Sequence, residues 1–140
     1  YRSHRQAIDG FGSHPLGYKY IYATNFVDAE IRNGGISQLY GNSAWALMID
    51  AIEGAEAFGY RKWSQTLKEI VFYYHRKGRS KLKRRTPEGF FDNIKTGWNK
   101  SLDQLEDDYY RCFRQLKTDN VWDLWTRALE KKPKLFERVK

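Results

Sequence analysis

The chain has little of several residue types, and each shortage argues against a class of protein. Only one of its 140 residues, Cys112, is a cysteine, which excludes an internal disulfide framework and a cysteine-rich zinc site. No apolar run approaches the roughly 20 residues that a membrane-spanning helix needs. We therefore expect a cytoplasmic protein that does not enter the membrane and needs neither a metal nor a cofactor. Because the sequence opens at Tyr1 rather than at a methionine, we also expect it to be part of a longer chain.

Apolar residues, in contrast, are plentiful and recur at the spacing of helices. They make up 41% of the chain, which is enough to fill the core of one domain. Their strong patterns repeat about every 3.6 residues, and none alternates with the period of a strand. Short connections between successive patterns favour antiparallel neighbours. The sequence therefore predicts an all-α fold, a single compact domain over residues 1–140 with five or six helices.

The helix boundaries follow from these patterns and from capping residues. Residues 1–15 carry no such pattern and are expected to form an irregular N-terminal segment. In order, the predicted helices are residues 17–32, a stretch from Asn42 or Ser43 to Gly59, a stretch from Tyr60 to Gly78, a weak helix after Thr86 that bears Phe90, Phe91, Ile94 and Trp98, residues 102–116, and a last helix that Asp119 or Asn120 caps and Pro133 ends. The predicted core is Trp45, Ile49, Ile52, Trp63, Leu67, Ile70, Tyr109, Phe113, Trp122 and Trp125.

The positive charge is concentrated in one segment. The net charge is +8, and residues 61–100 hold twelve Lys and Arg against three acidic residues, or +9, which leaves −1 for the rest. Seven cations fall within residues 76–85. Because like charges repel one another and bury nothing, we expect residues 76–86 to form an exposed, mobile basic loop. The predicted partner-binding residues are Arg76, Lys77, Arg79, Lys81, Lys83, Arg84 and Arg85.

Two kinds of partner fit this segment. Tyr73 and Tyr74 precede the cations, and aromatic rings beside phosphate-seeking groups are ingredients of nucleic-acid binding. The same charges suit the acidic surface of a protein. No helix-turn-helix, zinc-finger or RNA-recognition signature accompanies them, so we favour a protein partner with an acidic surface and keep nucleic acid as the alternative. A solvated loop without a specific role is the third interpretation of the segment. The sequence leaves homodimerisation as a further alternative.

A turn motif lies between the first two predicted helices. Asn and Gly tolerate the positive φ that commonly follows the last turn of a helix. We expect the neighbouring polar side chains to satisfy backbone groups that the two helix ends leave open. The alternative is a polar binding pocket. The residues of this structural turn motif are Glu30, Asn33, Gly34, Gly35, Gln38 and Asn42.

Cys112 and His75 are of residue types often used in catalysis or metal binding, but neither has neighbours in the sequence that suit such a role. Cys112 falls on an apolar stripe beside Phe113 and is expected to be a small core hydrophobe. His75 has no second histidine at ligand spacing, so we expect a surface residue rather than a metal ligand. The sequence spells out no catalytic constellation, and an enzyme is therefore the third choice.

Three features of the sequence resemble a known protein family. They are the spacing of Glu30, Asn33-Gly34-Gly35 and Gln38, the alanine-rich helix ending at Gly59, and the acidic stretch 102–110. Over residues 20–136 the chain resembles a family of small all-helical bacterial proteins of unknown function, whose best-known member is a DNA-mimic protein. The resemblance implies an α-helical fold without known catalysis. In the family that the chain resembles, the characterised member opposes a transcription factor by presenting DNA-like negative charge.

This chain departs from a DNA mimic in its charge. A net charge of +8 would repel the basic groove that a mimic must fill, so we do not expect mimicry here. We expect a non-enzymatic protein-interaction module, a regulator or immunity-type protein that binds and inhibits a protein partner. The alternative is a nucleic-acid-binding accessory protein that uses residues 76–85.

Overall fold

The computed structural model describes residues 3–82, 86–92, 94 and 99–137. Within these residues the chain is 72% helical and has no strand, which confirms the predicted all-α fold. Two short 3-10 helices, Ser43–Leu47 and Pro133–Phe136, accompany the α-helices. The six α-helices of the described residues are α1 (His4–Asp9), α2 (Leu16–Gly41), α3 (Met48–Ala57), α4 (Arg61–Arg76), α5 (Leu102–Gln115) and α6 (Val121–Lys131).

Side-chain caps fix where several helices begin. Ser101 forms a capping box with Gln104 at the start of α5, and Asn120 accepts from the amide of Asp123 at the start of α6. Ser3 and Gln6 form the same box in front of α1. The prediction that residues 1–15 are irregular is therefore wrong for α1, which is too short to show an apolar period.

Helix α2 is longer than predicted and is kinked. Gly35 has φ 81° and ψ −177°, so the helical path breaks there and resumes at once. The predicted helix end near Arg32 lies close to this break, but the prediction of a non-helical turn after it is wrong, because residues 36–41 are helical. The positive φ expected from Asn33-Gly34-Gly35 is present, at Gly35 alone among these three.

No helix forms in the described part of the segment after Thr86. Residues 88–92 are turns, and Gly89 has φ 76°, which a right-handed helix does not accommodate. The weak helix predicted here is therefore wrong over these residues. Trp98, which was predicted to anchor it, lies outside the described residues.

Most of the buried apolar side chains form one cluster to which all six described α-helices contribute. Nine of the ten predicted core residues are buried, and the exception is Trp122, which is 70% exposed. Helix α6 turns Val121, Leu124, Trp125 and Ala128 inward, so Trp122 lies about 100° off that face. The prediction that Cys112 is a core residue is confirmed, and burial raises the pKa of its thiol.

Candidate interaction surface

The surface that holds most of the predicted partner-binding residues begins where α4 ends. Gly78 has φ 70°, and its amide donates to the carbonyl of His75 over 3.0 Å. The amide of Arg79 donates to the carbonyl of Tyr74 over 2.9 Å. This pair of bonds is the Schellman motif, in which a left-handed residue closes the last turn. It fixes the backbone of Arg79 against the end of α4.

A second attachment comes from α2. The ring of Tyr40 stacks on the ring of Tyr74 with centroids 3.7 Å apart and planes 1° apart. The hydroxyl of Tyr40 donates to the carbonyl of Arg79. The indole of Trp45 packs at 80–81° to both tyrosine rings, at 5.1 and 5.3 Å. The start of the basic segment is thus attached to two helices and the core.

Cations lie against these rings. The Lys81 ammonium is 4.0 Å from the centroid of Tyr40, and it must occupy the face opposite Tyr74 because the stacked ring fills the other. The Lys77 ammonium is 4.7 Å from the centroid of Tyr73. Residues 76–81 are exposed, as expected for the basic loop, and within them Lys77 and Lys81 contact aromatic rings. We call Tyr40, Tyr73, Tyr74, Arg76, Lys77, Arg79 and Lys81 the tyrosine–cation surface.

Arg76 serves this surface as an anchor. Its guanidinium donates to Asn99 Oδ1 over 3.1 Å and to the carbonyl of Lys100 over 3.4 Å. It therefore ties the end of α4 to the segment that enters α5. The remaining predicted partner-binding residues, Lys83, Arg84 and Arg85, lie outside the described residues.

A cavity of about 540 Å³ opens on the tyrosine–cation surface. Its lining offers hydroxyl and cationic groups and no carboxylate. Burial raises the pKa of the Tyr74 hydroxyl, and a hydrogen bond with Ser37 opposes that shift. Neither the ammonium of Lys77 nor the guanidinium of Arg79 forms an ion pair with another residue that the structure describes. The residues around the cavity are Ser37, Tyr40, Tyr73, Tyr74, Lys77, Arg79 and Leu102.

Lys100, at the far end of the basic segment, is neutralised internally. Its ammonium lies 3.0 Å from Glu69 Oε1 and 2.7 Å from Asp108 Oδ2. Arg111 adds a second cation 3.2 Å from Asp108 Oδ1. Burial raises the pKa of Glu69, and the hydrogen bond from Lys100 opposes that shift. Lys100 thus contributes to the packing of α4 on α5 rather than to the charge of the free surface.

The turn motif is held together differently from the prediction. Glu30 Oε2 accepts from Gln38 Nε2 over 3.0 Å and from Asn42 Nδ2 over 2.6 Å, so these side chains bond one another across the kink. The amide that the kink frees, that of Ile36, donates to Glu106 Oε1 over 2.8 Å. The cap therefore comes from α5. Sequence reasoning missed Glu106 because it lies 70 residues away along the chain.

A buried polar group that the sequence did not reveal joins α2 to α5. The Tyr109 hydroxyl donates to Asp28 Oδ1 over 2.6 Å, and Arg32 Nε lies 3.0 Å from both carboxylate oxygens. The guanidinium of Arg32 also lies 4.7 Å from the ring centroid of Phe113. Burial raises the pKa of Asp28, against the opposing effect of its hydrogen bond from Tyr109. This network stabilises the interior of the fold.

Two further findings concern the described residues as a whole. They contain no group of three or more His, Cys, Asp and Glu side chains that could hold a metal ion. Each of their helices is also too short or too polar to cross a bilayer.

Fold and surface together define the class, a small all-α protein with an aromatic core and a cationic face. A model of the DMP19-like protein family matches residues 13–131, which is most of the chain, so the chain belongs to this family. The family takes its name from DNA mimic protein 19. The resemblance inferred from Glu30, Asn33-Gly34-Gly35 and Gln38 is thereby confirmed. No curated protein and no solved structure matches the chain.

Proposed function

We propose that this protein is a non-enzymatic interaction module, a regulator or immunity-type protein that inhibits a partner by binding that partner's acidic surface. The observation that carries the proposal is the pair Lys77 and Arg79, two cations without a carboxylate partner among the described residues, at a cavity that no acidic side chain lines. Of these two cations, Lys77 is already held over the Tyr73 ring, so it loses little side-chain freedom when a partner arrives. Both cations also steer an oppositely charged surface into contact.

The carboxylates of this chain argue against its acting as a DNA mimic. Several of them bond to the chain's own residues: Asp28 to Arg32, Glu69 to Lys100, and Glu106 to the amide of Ile36. Asp50 is 1% exposed and lies 3.2 Å from Arg5. A mimic needs its negative charges on a broad open face, and a net charge of +8 opposes such a face.

Nucleic acid is the second candidate partner. It ranks below an acidic protein because of how the aromatic rings are covered. Bases bind single-strand sites by stacking on open ring faces. Tyr74 covers one face of Tyr40 and Lys81 covers the other, while Lys77 lies over Tyr73. The rings are thus less able to accept a base than the sequence suggested. Phosphate contacts remain available to a nucleic acid, but stacking is hindered.

The non-enzymatic part of the proposal is supported by Cys112. A nucleophilic cysteine needs a lowered pKa and access to substrate. Cys112 is buried, and burial raises its pKa. A bacterial cytoplasm remains the location we expect, because the lone cysteine fits a compartment in which thiols stay reduced.

The test is a capture experiment from the native cell with three forms of the chain. The surface variant is Lys77→Gln/Arg79→Gln/Lys81→Gln, and the control variant of equal charge is Lys131→Gln/Lys132→Gln/Lys134→Gln. We expect the parent and the control to retain the same acidic protein, the surface variant to lose it, and excess random-sequence DNA not to displace it. Retention by the surface variant would contradict the proposal, and displacement by DNA would favour the nucleic-acid alternative.

A further inference from the structure

The cavity on the tyrosine–cation surface offers more donors than a single carboxylate can use. The Lys77 ammonium and the Arg79 guanidinium supply up to three and five N–H groups, and Ser37, Tyr73 and Tyr74 also line the cavity. A carboxylate has two oxygens and one negative charge. A phosphate monoester has three terminal oxygens and about −1.5 to −2 charges at neutral pH, which matches two cations.

The size and walls of the cavity point to a phosphate that is attached to a carrier. About 540 Å³ is far more than a bare phosphate fills, and it lies in the range of about 300–1,000 Å³ typical of small-molecule sites. Leu102 gives the cavity an apolar wall. An aromatic or aliphatic carrier would lie against Leu102 while its phosphate meets Lys77 and Arg79.

The backbone that carries Lys77 and Arg79 is fixed, which distinguishes this cavity from a chance arrangement of surface charges. The carbonyl of Arg79 accepts from the Tyr40 hydroxyl, and its amide bonds to Tyr74. Lys77 occupies the C-cap of α4. Both side chains therefore project from backbone that hydrogen bonds already hold.

We infer that this cavity binds a phosphate monoester carried by the protein partner, so that the partner is recognised in its phosphorylated form. The inference rests on the proposed function, because it specifies which acidic group the same surface accepts. Arginine and lysine next to each other suit such a dianion, since arginine can donate two parallel bonds and lysine supplies a point charge.

The first test uses small probes and isothermal titration calorimetry at 100 mM salt. We expect phenyl phosphate to bind about tenfold more tightly than phenylacetate, which presents the same ring and a single carboxylate. Lys77→Gln and Arg79→Gln should each weaken phenyl phosphate about tenfold, the effect of losing one charge-assisted hydrogen bond. The control Lys131→Gln should leave binding unchanged. Equal affinity for the two probes, or an equal loss in the control, would overturn the inference.

The second test uses a peptide pair of equal net charge, in which one member carries a phosphotyrosine and the other carries two glutamates. Preference for the phosphopeptide places the phosphate on a protein, whereas stronger binding of adenosine monophosphate than of either peptide would overturn the assignment to a protein. If neither probe binds but the acidic partner is still captured through Lys77 and Arg79, this inference fails and the proposed function stands. If phenyl phosphate binds and capture does not need these cations, the proposed function fails instead.

Discussion

Gly35 holds a backbone conformation that other residues adopt only with strain. Its φ of 81° excludes a comfortable side chain, and a Cβ there would overlap Glu106 Oε1. We expect Gly35→Val to lower the free energy of unfolding by about 1–3 kcal/mol through strain, with a further loss if Glu106 releases the amide of Ile36. Urea denaturation measures this change.

Gly41 supplies the matched control in the same helix. It has no positive φ, and a Cβ there meets nothing within 4 Å. Gly41→Ala should leave stability unchanged or raise it by up to about 1 kcal/mol. If Gly35→Val unfolds at the same urea concentration as the parent, the strained kink is not a feature of the folded chain.

Asp28 gives a prediction about pH. Because burial raises its pKa above 3.8, the folded chain binds a proton at this carboxyl more tightly than the unfolded chain does. The contribution of this group to stability is therefore fully present below pH 3.8 and is lost as pH rises through the folded pKa. The advantage of the parent over Asp28→Asn should be largest in acid and shrink as pH increases.

Urea denaturation of the parent and of Asp28→Asn at a series of pH values tests this sign. The difference between the two curves isolates Asp28 from other titrating groups such as Glu69. An advantage that grows as pH rises from 3.8 would mean that the ion pair with Arg32, rather than burial, controls the carboxyl.

Single residues differ in how well their roles follow from the sequence. The Asn-Gly-Gly stretch predicts a positive φ, because Gly and Asn tolerate it, and Gly35 has one. The partner of the freed amide, Glu106, could not be predicted, since it depends on how α5 packs beside the kink. Trp122 shows the reverse error. The apolar pattern predicts that this tryptophan lies in the core, whereas it lies beside the buried stripe and is exposed.

At the scale of the helices, the hydrogen bond from the amide of Ile36 to Glu106 joins the kink of α2 to α5. Glu106→Ala leaves the amide of the buried Ile36 without its acceptor and should cost about 1–3 kcal/mol. Glu106→Gln keeps an oxygen at the same place and should cost less. Hydrogen exchange at the amide of Ile36 should become faster in Glu106→Ala than in Glu106→Gln. Equal protection in both variants would show that this bond does not hold the kink.

Long amphipathic helices were the elements that the sequence revealed best. The apolar spacing and caps predicted residues 102–116 and a helix after Asp119 or Asn120, and α5 and α6 occupy these places. Helix α1 could not be predicted, because six residues are too few to show an apolar period. The last part of α2 was not predicted either, because Gly34 and Gly35 indicate the end of a helix. The helix instead resumes after one residue of non-helical backbone, Gly35.

For the whole molecule, the concentration of charge in residues 61–100 could be read from composition alone, but the surface it forms could not. Tyr40 and Tyr74 are far apart in sequence, and their stacking creates the platform on which Lys81 lies. Lys100 belongs to the same basic segment yet pairs with Glu69 and Asp108. Only packing separates the cations that remain free from those that the fold uses.

The central claim is that Lys77, Arg79 and Lys81 bind an acidic partner. The most direct measurement is the affinity for the captured partner as a function of salt, for the parent, for Lys77→Gln/Arg79→Gln/Lys81→Gln, and for the control Lys131→Gln/Lys132→Gln/Lys134→Gln. Both variants should still fold, because an exposed cation–π contact contributes only about 0.5–1 kcal/mol. We predict that the surface variant binds at least about tenfold more weakly at 100 mM salt and loses most of the salt dependence, while the control matches the parent. An unchanged affinity with an unchanged salt slope would contradict the account.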